Sequence, residues 1–200
     1  MSIRRRGRAL IGSALVGGFC LCATPAPAHL VQTGFGTFYD GVAHVFLMPA
    51  DLLLVIGMGL LAGSSGAVAA RPVLFALPGA WLVGCLMGLL FVNVGLLQSL
   101  TTFSFGLVGL LVALNVRLRV PWLVCLAVVS GLLHGFLDGP TADWLTLVGA
   151  TTTIFIVVTL LAAFVVSLRA YWAQITVRVA GSWIAAIGLL MLGWLARGNG

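Results

Sequence analysis

From residue 41 onward the chain alternates between long apolar stretches and short polar or breaker-rich joints. The stretches cover 41–63, 72–91, 100–116, 121–137, 145–168 and 179–196. Each approaches the ~20 residues a helix needs to cross the hydrocarbon of a bilayer. The joints are Gly-Ser-Ser-Gly at 63–66 with Arg71-Pro72, Arg117-Leu118-Arg119 before Pro121, Asp138-Gly139-Pro140, and 169–178. This pattern predicts an all-α, polytopic membrane bundle of about six transmembrane helices. Gly84 and Gly88, four apart, predict a close helix–helix contact of the small-residue kind used in lipid.

Composition agrees with the pattern. Hydrophobic residues make up 62% of the chain and charged residues 7%, with mean hydropathy +1.21. A soluble domain of this size has no interior large enough for that much apolar surface. The net charge of +6 comes from ten Arg against four Asp, with no Lys. The arginines are scattered between apolar runs, which speaks for topology and against nucleic-acid binding. Nucleotide-binding and zinc-protease motifs are both missing, so no enzymatic activity and no permanently bound cofactor are expected.

Residues 1–28 read as a signal peptide. Arg4, Arg5, Arg6 and Arg8 precede an apolar run too short to span, and Ala26-Pro27-Ala28 is a small-residue cleavage site. The mature chain, 29–200, is then a single six-helix domain beginning at His29. With that end outside, Arg71, Arg117, Arg119, Arg169 and Arg178 fall in cytoplasmic joints, and of the arginines after residue 28 only Arg197 falls outside. This satisfies the positive-inside rule. It predicts a multi-pass protein of a bacterial inner membrane with both termini periplasmic. Cys85 and Cys125 lie in separate runs and read as small core residues, not a disulfide.

Candidate chemistry rests on seven residues, the four Asp and three His. An ionisable group inside a bilayer is costly and marks function by default. Asp40 and His44 are four apart and share a helix face; Asp51 lies seven further on, ~10 Å deeper in a continuous helix. Pro49, read as a mid-helix residue, would free the Val45 carbonyl, so the four groups would form a polar ladder into the membrane. His134 and Asp138 repeat the spacing of four at the outer end of the fourth run. If those two helices are neighbours, the imidazoles and carboxylates converge into a site suited to a borderline divalent ion such as nickel, cobalt or zinc. His29 would add an imidazole and an α-amine at the surface. The candidate metal residues are therefore His44, Asp51, His134, Asp138, Asp40 and His29. A structural hydrogen bond from Asp51 to Asn93, Gln98 or Thr101 is the competing reading.

These motifs resemble the HupE/UreJ family of hydrogenase and urease accessory membrane proteins. FYDGVAHVFLMPADLLLVIGMGLLAG at 38–63 is similar to the family's first-helix motif. SGLLHGFLDGPTA at 130–142 is similar to its second motif, roughly F-H-G-x-x-H-G, and 149–195 resembles its last two helices. The resemblance implies secondary permeation of nickel or cobalt, with His44, Asp51 and His134 on the metal pathway. It also implies membrane lipid, metalloenzyme maturation proteins and a second copy of the chain as partners. Its alternative implication is a non-transporting accessory role in hydrogenase- or urease-type maturation. The chain departs from the pattern at Leu52, where many members have His, and at Asp138, which replaces the second His. It departs again at Gln98, the polar residue nearest a Glu that members often carry.

Overall fold

The structure is a computed structural model that describes residues 33–89, 95–139 and 143–198. His29 and the signal-peptide segment lie outside the described residues, as does Asn93. Seven helices and no strands occur among the described residues: α1 (Thr37–Leu47), α2 (Pro49–Ser64), α3 (Ala67–Gly88), α4 (Gly95–Ala113), α5 (Val120–Asp138), α6 (Trp144–Ser167) and α7 (Tyr171–Gly198). By length and composition α3, α5, α6 and α7 can each cross a membrane, and α1 with α2 passes the same test as one bent span. The apolar stretch Gln98–Ala113 of α4 is shorter.

Three boundaries differ from the sequence reading, each for a local reason. The first apolar run is two helices. Met48 is extended (φ −90°, ψ 105°), Pro49 opens α2, and the axes bend by 78°. Proline disfavours helical geometry at the residue before it and is well suited to the first helical position, so here it starts a helix instead of kinking one. Arg71-Pro72 does not separate helices. The turn is completed at Gly66, whose φ of 97° suits glycine, so α3 is already under way at Pro72. The joint at 169–178 is largely the first two turns of α7, and Arg178 Nε donates to the Ala113 carbonyl at 3.1 Å. That carbonyl belongs to the end of α4, where Asn115 (φ 54°) closes the helix and Val116 N–H returns to Leu111 O at 3.0 Å.

α2 runs through the middle of the bundle and touches each of the other six helices. Its Leu54, Val55, Met58 and Leu61 are wholly buried. Around it α3 packs on α5, α4 on α7, and α6 on α1 and α2. In lipid such contacts depend on close approach, which small residues permit. The α3–α5 seam is reciprocal: Gly84 and Gly88 lie against carbonyls of α5, while Gly131, Gly135 and Gly139 lie against carbonyls of α3. A Cβ at Gly135 would overlap the Trp81 carbonyl. Gly41 and Gly149 make the same kind of contact between α1 and α6. Cys85 is buried as expected; Cys125 is not a core residue but is exposed on α5, on a side of that helix left uncovered by the described residues. Both thiols are free.

Candidate metal centre

The bend at Met48 and the glycine seam of α3 and α5 deliver four of the seven Asp and His residues to one place. His44 comes from the last turn of α1 and Asp51 from the first turn of α2. His134 and Asp138 come from the last two turns of α5. His44 Nε2 lies 3.8 Å from Asp51 Oδ2 and 3.2 Å from Asp138 Oδ1. One potential ligand atom from each of His44, Asp51 and Asp138 falls within 4.8 Å of the others. The ladder expected from the sequence, with Asp51 ~10 Å below His44 in a continuous helix, does not form. The chain turns through 78° at Met48, so the two groups face each other across the bend.

Asp51 is 6% exposed and His134 1%. His134 Nδ1 meets Asp51 Oδ1 at 2.7 Å. A carboxylate accepts, so Nδ1–H donates. On the other side of the ring Ser104 Oγ stands 3.0 Å from Nε2. The Ser104 hydroxyl donates to the Thr101 carbonyl at 2.8 Å. Among the described residues the Asp51 partner is thus His134 and not Gln98 or Thr101; Thr101 donates its own hydroxyl to Gln98 O. On the other flank Trp81 Nε1 donates to Asp138 Oδ2 at 3.0 Å, and its indole lies against the His134 ring with centroids 5.4 Å apart. Helices carrying the first and fourth apolar runs are therefore in contact at the site.

His44 Nε2 is buried with no well-angled hydrogen-bond partner, although two carboxylates stand before it. An imidazole nitrogen facing two carboxylate oxygens fits a borderline divalent cation by donor chemistry. His134 joins the group through Asp51. It touches a carboxylate on one nitrogen and a hydroxyl on the other, the position of a group that orients a ligand. Asp40 stands apart. It accepts from Thr33 N and Thr33 Oγ1 at 2.6 and 2.7 Å and so ties the incoming chain to α1. Asp143 is exposed at the start of α6.

Trp81 and Ser104 were missed by sequence reasoning. A buried Trp needs an acceptor for its N–H, and Trp81 sits one turn before Gly84, so the glycine step could have flagged it. Ser104 carried no such signal, since hydroxyls in apolar helices commonly bond their own backbone.

A family model described as HupE / UreJ protein matches residues 17–191. The chain belongs to the HupE/UreJ family. No curated protein and no solved structure matches it. The HupE/UreJ family is one of accessory or transport membrane proteins linked to nickel and cobalt. The segments that carried the resemblance, 38–63 and 130–142, are the ones that supply the four clustered residues.

Proposed function

We propose that this HupE/UreJ protein is a secondary transporter that moves a divalent cation, nickel or cobalt, inward across the bacterial inner membrane. The observation that carries this reading is the juxtaposition of His44, Asp51 and Asp138 ligand atoms inside an otherwise apolar bundle. The cation is bound by His44 Nε2 with one oxygen from each carboxylate, and His134 steadies Asp51 from behind. Family membership supports the choice of nickel and cobalt. In the proposed topology residues 1–28 are removed, His29 opens the mature chain, and both termini are periplasmic. The site then faces the outside, and the arginine joints face the cytoplasm. The membrane potential supplies ~2.3 kcal/mol per elementary charge per 100 mV, and a divalent ion doubles that.

Uptake of radioactive nickel and cobalt into cells expressing the wild type, Asp51→Asn or Asp143→Asn tests the proposal. Wild type and Asp143→Asn are expected to accumulate the ion equally, and Asp51→Asn to fall to background. Background uptake by all three, with each protein detected in the membrane, would instead assign the accessory role in metalloenzyme maturation.

A further inference from the structure

The two carboxylates of the site are held in the same way. Asp51 gives Oδ1 to an N–H donor, His134 Nδ1 at 2.7 Å, and turns Oδ2 toward His44. Asp138 gives Oδ2 to an N–H donor, Trp81 Nε1 at 3.0 Å, and turns Oδ1 toward His44. Trp81 also lies against the imidazole that holds Asp51. Its own freedom is small: it is 1% exposed, and the α5 backbone at Gly135 rests on its carbonyl. One rigid side chain therefore backs both acids.

We infer that Trp81 is a positioning residue that sets the ion selectivity of the site. With one oxygen of Asp138 engaged by the indole, the carboxylate presents the other as a single-atom ligand. Single-oxygen carboxylates together with an imidazole suit small first-row ions. Calcium takes six to eight oxygens and draws on carboxylates that bind through one oxygen or through both. The indole N–H thus works against calcium by occupying the second oxygen, and it does so without touching the cation. This inference rests on the metal-site reading above.

The test is metal binding to the purified full chain in detergent, by calorimetry, with nickel and calcium in turn. Trp81→Phe keeps an aromatic ring against His134 and removes the N–H. Because that change also leaves a void, a second protein carries 3-benzothienylalanine at position 81, which replaces the N–H by sulfur at nearly constant shape. His44→Ala is the control for the site itself. A hydrogen bond to a charged group is worth enough to change a binding ratio about tenfold. The nickel-to-calcium affinity ratio is expected to fall by about that factor in both position-81 proteins and in the same direction. Nickel affinity lowered with an unchanged ratio would assign Trp81 to packing alone and overturn the inference while the metal site stands. Wild-type nickel binding that His44→Ala does not weaken would remove the metal site, and the inference with it.

Discussion

At the scale of single residues, the site is a set of hydrogen-bond choices made by buried groups. Ser104 donates to the Thr101 carbonyl and faces His134 Nε2. Its hydroxyl is the group standing against the second nitrogen of the ring that holds Asp51. Removing it leaves that nitrogen buried without its partner and the ring held from the Asp51 side alone. Outer partners of metal ligands typically contribute ten- to a hundredfold in affinity. Ser104→Ala is therefore expected to weaken nickel binding about tenfold while the protein still reaches the membrane; titration of the purified variant checks this. Ser104→Thr, which keeps the hydroxyl, should lie between the two. The acid and His residues were legible in the sequence because each is conspicuous in an apolar chain. Their partners were not. Serine and tryptophan are ordinary in membrane helices, and only the fold shows that Trp81 is aimed at Asp138.

At the scale of elements, glycines decide how near the side chains come. Gly135 sits against the Trp81 carbonyl, so an added methyl pushes α5 away from α3 and carries His134 and Asp138 with it. Gly135→Ala is expected to cost ~1–3 kcal/mol, the usual penalty for overpacking, and to abolish metal binding. Gly79 on the same α3 has open space where its Cβ would be. Gly79→Ala should be neutral or stabilising by up to ~1 kcal/mol through helix propensity. Thermal unfolding of both variants in detergent compares them directly. Helices α5 and α6 lie within one residue of the ends read from the sequence, because Arg119 and Pro121 at one joint, and Asp138, Gly139 and Asp143 at the other, interrupt the apolar pattern where the helices end and begin. The start of α7 was placed eight residues late, since Gln174, Thr176 and Arg178 interrupt hydropathy without interrupting the helix. The break at Met48 was the largest miss. A proline in an apolar run has the same appearance whether it kinks a helix or begins one, and Asp51 is deep in the first case and faces His44 across the bend in the second.

At the scale of the whole molecule, the polar groups divide between the ends of the bundle. The His/Asp cluster lies at the α5–α6 end, while Ser64, Asn115 and Arg117 line a cavity of about 210 Å³ at the opposite end. The proposed topology puts the first end outside and the second in the cytoplasm. Single cysteines placed at Asp143 and Ser65, with Cys20, Cys22, Cys85 and Cys125 replaced by alanine, test it. A membrane-impermeant maleimide should label position 143 in intact cells with the outer membrane opened. Position 65 should react only after the inner membrane is permeabilised. Labelling in the reverse order would invert the bundle and turn the cluster toward the cytoplasm.

The bend at Met48 has an electrostatic consequence. A helix that starts at Pro49 places its unsatisfied first-turn N–H groups, and the positive end of its macrodipole, beside the carboxylate of Asp51. That end is equivalent to about half an elementary charge. The chain has no lysine that could serve as a counter-ion. The backbone supplies part of that charge instead, in a form that neither titrates nor swings aside. The start of α2 thus favours the charge on Asp51 with a field that belongs to the fold itself, whereas Asp138, at the C-terminal end of α5, has a helix end of the opposite sign and relies on the Trp81 N–H.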